Sequence, residues 1–373
     1  MLWIWYLNTN FCTKLVRVMK ILFVSPGNFT HIEPYLEFFS KKGHIVGFLA
    51  LSETELHSDS WRTFEPVLLK FGKFQYLLTT LYRKKLVKAF NPDIVHAHYA
   101  TSGGLCGCLL GLHPLVVTAH GTDLTEGKDS ILWRPLLKRI FRFSDSINVV
   151  SSGLAKMAQE LGVPENKLLE VNVGIDMKTF RFEKSSKDGK KRSLKMVTTR
   201  RFEPVYNHQF ILEALRLVDQ RNLDFQMTFI GGGPLKNGLE KAYADLVEKG
   251  KVVFMGQVIN SELPGILIEH DVYLSASLWD GSSLSLIEAL ASGLFPIVSN
   301  IPANQAWVTD NINGFLHELR EPLDLANKIL TYKENISAFS QVLSMNRELV
   351  ENKGNRITNM RKLEKLYHTL IGA

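Results

Sequence analysis

Short apolar runs alternate with helical stretches along most of the chain, and this alternation limits the fold more than any other feature. KILFVS, HIVGFLAL, DIVHAH, PLVVTAHG and INVVS follow one another from residue 20 onward. Between them lie IEPYLEFFSKKG and a glycine-rich helical segment, and GLAKMAQELGV comes after the last. Strands that are apolar on both faces and separated by helices belong in a parallel sheet covered on both sides. Near Phe180 the pattern stops: RFEKSSKDGKKRS, Arg181 to Ser193, is charged and poor in apolar residues, as an exposed linker is. It then restarts with LKMVTT, QMTFIGGG, KVVFMGQ, DVYLSAS and FPIVSN, again with helical stretches such as NHQFILEALRLVDQ between the runs. The predicted fold is α/β, with two Rossmann-like doubly wound domains facing across a cleft: residues 19–180, a linker at 181–193, and residues 194–373. The closing segment NMRKLEKLYHTLI is amphipathic and could pack back on the first domain. Ligands of such sheets bind beyond the carboxyl ends of the strands.

A chain of 373 residues, 45% of them hydrophobic, fits two cores better than one. Its three cysteines, Cys12, Cys106 and Cys108, are too few for a disulfide framework and read as reduced thiols. No stretch reads as a membrane span, because the longest apolar region, Gly103 to Thr118, is broken by four glycines, His113 and Pro114. The expectation is a cytoplasmic chain that at most sits on a membrane. Residues 1–18 precede the strand-like MKILFVSPG; they lack a cleavage site and read as an upstream extension or a small anchor.

The net charge is +7, and residues 1 to 180 hold 20 Lys and Arg against 15 Asp and Glu. These cations form no recognised nucleic-acid module. In WRPLLKRIFRFSD, Trp133 to Asp145, an apolar stripe of Leu136, Leu137, Ile140 and Phe141 is edged by Arg134, Lys138, Arg139 and Arg142. That spacing suits a helix lying on an anionic bilayer, and it suits core packing with solvated arginines equally.

Two glycine turns follow strands. Gly231, Gly232 and Gly233 lead into a helix whose first amides favour phosphate, and Gly27 in SPGNFTH stands at the same place in the first domain. Any tight strand-to-helix turn would also use glycine. Asp280 and Gly281 follow the run DVYLSAS, and Glu288 lies in the helix that begins near Leu284 and ends at Gly293. A fixed carboxylate facing the cleft can accept from two vicinal hydroxyls, while the amides of Gly281, Ser282 and Ser283 suit a phosphate or sugar oxygen. A sugar nucleotide carries all of these groups. The plainer alternative is that Asp280 caps the helix and Glu288 is solvated.

Taken in order, MKILFVSPG, KKGHIVGFLAL, PDIVHAHYA, TAHGTDL, NVGIDMKTF, FIGGGPLKNGLE, VVFMGQV, SLSLIEALASGLFPIVSN and NINGFL resemble the retaining glycosyltransferases of the GT-B fold, family four, over nearly the whole chain from Met19. The resemblance implies that the first domain holds a hydroxyl acceptor and the second a nucleotide-diphosphate sugar. It further implies transfer with retention, without metal or cofactor. By position, Glu288 matches the acid that binds the ribose hydroxyls and Asp280 the acid that contacts the donor sugar. His120 matches a histidine near the reacting sugar, and Arg201, with its neighbour Arg200, the arginine that holds the leaving diphosphate. The donor set then also includes Gly27, Gly232, Gly233, Gly281, Ser282, Ser283 and Leu284. Two departures stand out: the first acid is Asp280 where the family usually has Glu, and Tyr206 and Asn207 stand where a lysine normally follows. The implied acceptor is carbohydrate or lipid-linked, in surface polysaccharide or glycolipid assembly on the inner face of a membrane. A non-catalytic sugar-nucleotide-binding partner, or an epimerase of the same fold, would share these motifs.

Overall fold

The computed structural model describes residues 17–27, 31–67, 72–182 and 193–372. Cys12, nearly all of the N-terminal extension and most of the linker lie outside the described residues. The first sheet contains β1 (Lys20–Ser25), β2 (Ile45–Ala50), β3 (Arg62–Phe64), β4 (Ile94–His98), β5 (Leu115–Ala119), β6 (Ser146–Val149) and β7 (Leu168–Glu170), in the order β3-β2-β1-β4-β5-β6-β7. The second contains β8 (Leu194–Thr198), β9 (Phe225–Ile230), β10 (Val252–Gly256), β11 (Val272–Ser275), β12 (Phe295–Ser299) and β13 (Phe315–His317), in the order β10-β9-β8-β11-β12-β13. Neighbouring strands are parallel throughout, as in β1 on β4 and β8 on β11. In each sheet the order reverses once, between β1 and β4 and between β8 and β11. That reversal opens a crevice at the strands' carboxyl ends.

Alternate side chains serve opposite faces of each sheet. Leu22 and Val24 of β1 enter one core with Leu137 and Ile140, while Ile21 and Phe23 enter another with Met360, Leu363 and Tyr367. The last helix, Arg356–Leu370, therefore completes the first domain although it follows the second. It is tied there by His44, whose Nε2 donates to Glu364 at 3.0 Å, and by the Tyr367 hydroxyl at 2.5 Å from His96 Nδ1. The two crossing segments are hydrogen-bonded to each other: Ile175 N–H donates to Gly354 O at 2.8 Å and Arg356 N–H to Ile175 O at 3.0 Å.

The helix Trp133–Phe143 forms where the spacing predicts it, but its apolar stripe does not face outward. Leu137, Ile140 and Phe141 are buried in the first core, so of the two readings of that stripe core packing with solvated arginines holds. Only its cationic edge, with Trp133 and Phe143, is exposed. Among the described residues no helix is long and apolar enough to cross a membrane.

Candidate active site

The crevice of the second sheet is furnished by the loops after β8 and β11. Arg200, just past the end of β8, forms an ion pair with Asp280 and donates from Nη1 to Ser285 Oγ at 2.8 Å. Its guanidinium lies 4.5 Å from the centre of the Tyr206 ring. A planar cation gripped at its edge and on its face has little freedom left. The backbone beneath it is held as well, because His208 Nε2–H donates to the carbonyls of Arg200 and Arg201 at 3.1 and 3.0 Å. Burial lowers the pKa of His208 to about 4, so the ring stays neutral in that role. Asn207 adopts a left-handed conformation (φ 48°) at the start of the helix His208–Gln220, and so brings Tyr206 back over Arg200.

Arg201 behaves differently from its neighbour. Its side chain is 72% exposed, pairs with Glu203 at 3.4 Å, and borders a cavity of about 330 Å³ shared with Gly231, Gly232, Gly233, Gln257 and Val258. Gly231 (φ 146°) and Gly233 (φ 150°) let this turn lie against residues 200–202, where a Cβ would come within 2.6 Å of a carbonyl oxygen at either position. The amides of Gly232 and Gly233 carry no hydrogen bond to any described residue, whereas that of Gly231 donates to Gly256 O.

Glu288 sits in the second turn of the helix Leu284–Ala291, mostly buried. Burial pushes its pKa up to about 7, against the opposing pull of Arg356 and then Arg200. Arg356 in turn donates to Gly174 O at 3.3 Å, so the carboxyl lies where the last helix crosses back to the first domain. A carboxyl held protonated up to about 7 favours the ligand-free fold most below its ordinary value of 4.5, and that contribution is lost as pH rises through about 7. A ligand that needs the carboxylate reverses the preference. Nucleotide affinity is therefore expected to rise by up to about tenfold per unit between about pH 6 and about pH 7, then level off. Calorimetric titration across that range checks it, and the dependence should vanish in Glu288→Gln.

From the first domain, His120 faces the second. His98 Nδ1 and His120 Nε2 share a hydrogen bond at 3.0 Å, Tyr99 stacks on the His120 ring at 4.4 Å, and His31 stacks on it at 5.7 Å. Burial, followed by the neighbouring histidines, lowers the pKa of His120 well below the ordinary value, so it is a neutral hydrogen-bonding group. The turn that presents it is built on Asp123, whose carboxylate accepts from the amides of Ala100 and Gly121 at 2.7 Å, Leu124 at 3.2 Å and His120 at 3.4 Å. Tyr99 takes φ 66°, unusual for a bulky side chain.

The domains meet around a cavity of about 230 Å³. Its wall includes His31, Tyr99, His120 and Thr122 on one side and Tyr206, Trp279, Asp280, Gly281, Ser282 and Leu284 on the other. Ser282 Oγ is buried with no partner among the described residues, and Ser283, which begins the helix, makes no side-chain cap there. Polar groups left unpaired in a walled space are ones a ligand can satisfy. Gly27 is placed otherwise: its N–H donates to Ser52 Oγ at 2.8 Å and its carbonyl accepts from Thr54 Oγ1 at 3.0 Å, so its amide is already used. Sequence reasoning passed over His31, Tyr99, Asp123, His208 and Trp279. Asp123 alone left a signal, three residues after His120 in AHGTD.

Two Rossmann-order sheets with a cavity between them walled by residues of both have the arrangement of a GT-B glycosyltransferase. Residues 193–335 match the family model "Glycosyl transferases group 1" and residues 20–151 the model "Glycosyl transferase 4-like". Together they cover most of the chain, which belongs to the group 1 glycosyltransferases. It is 27% identical over 317 residues to the UDP-Gal:alpha-D-GlcNAc-diphosphoundecaprenol alpha-1,3-galactosyltransferase of Escherichia coli, spanning 79% of each chain. Among solved structures it resembles Anabaena HepE in complex with UDP (TM-score 0.77, 16% identity, 94% of this chain and 100% of that one). It also resembles the sucrose-phosphate synthase of Thermosynechococcus elongatus (TM-score 0.78, 18% identity, 95% and 99%).

Proposed function

We propose that the protein transfers a hexose from a nucleotide-diphosphate sugar to a hydroxyl of a lipid-linked saccharide acceptor, with retention and without a metal. The observation that carries this reading is the cavity of about 230 Å³ walled by both domains, with Asp280, itself paired with Arg200, and Tyr206 on one side and His120 on the other. In the proposed complex Glu288 accepts from the ribose hydroxyls and Asp280 with Ser282 hold the sugar. Arg200, Arg201 and the amides at Gly232 and Gly233 neutralise the departing diphosphate, the part that pre-organised donors play best. The cavity of about 330 Å³ beside Val258 takes the base.

Retention is part of this reading through the family resemblance, and the pairing of Asp280 supports a route without a covalent intermediate. Asp280 is committed to Arg200, which removes it as a nucleophile. In the proposed reaction the acceptor oxygen approaches on the leaving group's own face: the anomeric carbon–diphosphate bond breaks, the new glycosidic bond forms, and the acceptor proton passes to the diphosphate. Positioning and charge stabilisation supply the rate enhancement. The lipid-linked acceptor is supported by the substrate named for the Escherichia coli relative. Incubation with UDP-galactose, UDP-glucose and UDP-N-acetylglucosamine plus a GlcNAc-diphospholipid, read by the product's anomeric coupling in NMR, tests the reading. An α-linked product is expected; an inverted product, or transfer from none of the donors, contradicts it.

A place on the inner face of an anionic membrane is part of the same reading. Ile131 and Leu132 are 92% and 81% exposed beside Arg134, Lys138, Arg139 and Arg142. Cosedimentation with phosphatidylglycerol vesicles should fall several-fold in Arg139→Ala/Arg142→Ala; an unchanged bound fraction would exclude this surface.

A further inference from the structure

The first domain holds a second, larger cavity, of about 680 Å³, that the reaction centre does not use. Its volume lies within the roughly 300–1,000 Å³ of sites that bind small organic molecules. Tyr99 and Thr122 belong to its wall and to the wall of the interdomain cavity, so the two spaces adjoin. Besides Tyr99 and Thr122, and the polar Thr101 and Ser102, the lining includes Tyr76, Leu77, Leu105 and Cys106, with Phe74 and Trp133. Phe74 and Trp133 are themselves 57% and 37% exposed, and Ile131 and Leu132 stand next to Trp133. A largely apolar lining that reaches exposed aromatic and aliphatic side chains and adjoins a polar reaction centre fits a ligand that is polar at one end and hydrocarbon at the other.

We propose that this cavity receives the first segment of the acceptor's lipid chain, with the acceptor sugar at Tyr99 and Thr122 and the chain leaving past Phe74 and Trp133. The inference rests on the lipid-linked acceptor of the preceding reading. Lys73 is exposed beside Phe74 at the rim, where the chain would leave. Of the acids on the lining, Asp123 spends its carboxylate on backbone amides, and Glu126 is exposed. Burying even a few methylenes in such walls strengthens binding substantially, since each one removed from water adds to affinity.

The test is calorimetric titration of the full chain, saturated with UDP, with undecyl diphosphate and with methyl diphosphate. The long-chain probe is expected to bind at least about tenfold more tightly. Leu77→Trp, which fills the cavity, should erase that advantage while leaving methyl diphosphate within about twofold. Phe74→Ser at the exposed rim serves the same purpose without touching the core, and should reduce the advantage several-fold. Equal affinity for the two probes, or a chain preference that survives both substitutions, overturns the assignment of the cavity and leaves the transferase reading standing. Binding of neither probe overturns the lipid-linked acceptor together with the cavity.

Discussion

Gly281→Ala is expected to leave both domains folded and to lower transfer by roughly a hundredfold or more. A Cβ at position 281 would collide with the carbonyl oxygen of His120 in the opposite domain and come within 3.2 Å of the Gly121 Cα. The obstruction is backbone, which cannot rotate away. Gly121 meets the same limit from the other side: it takes φ 139°, and its own Cβ would run into the Trp279 ring and stand 2.9 Å from the Gly281 Cα. The two glycines thus let the loops touch, and the added methyl must hold the domains apart by a distance that ruins alignment at the reacting carbon. Since the methyl group lies in the gap and neither core is altered, thermal unfolding should shift little while kcat falls. Steady-state transfer kinetics beside a melting curve check both halves of the statement.

Arg200→Lys should be almost as damaging, and Arg201→Lys nearly silent. The first replaces a fork that simultaneously pairs with Asp280, donates to Ser285 and stacks on Tyr206 with a point charge that can do only one of these. Loss of one pre-organised donor to developing charge typically costs about 100- to 1,000-fold in kcat. Arg201 is 72% exposed and pairs with Glu203, and Lys keeps the one feature, its charge, that such a site uses. The contrast also bears on the missing lysine. Tyr206, standing where that cation would be, braces Arg200, so Tyr206→Phe should retain most activity and Tyr206→Leu should lose it. Comparing kcat for the four variants at saturating donor separates these expectations.

Much of the fold was legible because buried parallel strands are apolar on both faces. The ten runs read from the sequence all contain strands of the two sheets. β3, β7 and β13 were missed: at three residues each they are too short to show a pattern, and they exist because a neighbouring strand is there to pair with. Periodicity located the buried stripe of the helix Trp133–Phe143 but could not say whether protein or lipid would cover it. At the site, likeness to a family singled out Asp280, Glu288 and His120; Asp280 and His120 wall the cavity between the domains, while Glu288 is buried within reach of Arg356 and Arg200. It could not weigh Arg200 against Arg201, because which of two adjacent arginines turns inward depends on Ser285 and Tyr206, contacts made across the crevice. His31 and Tyr99 were invisible for the same reason. Their roles arise from ring stacking with His120, residues apart in sequence and joined only by the sheet.

All of these expectations assume a nucleotide gripped by one acidic side chain at the seam of the two domains. Calorimetric titration of UDP into the unaltered protein and into Glu288→Ala addresses it without any acceptor. The account predicts a measurable UDP affinity that drops at least about tenfold on removal of the carboxyl, with the fold retained. Equal UDP affinity in the two proteins would contradict it.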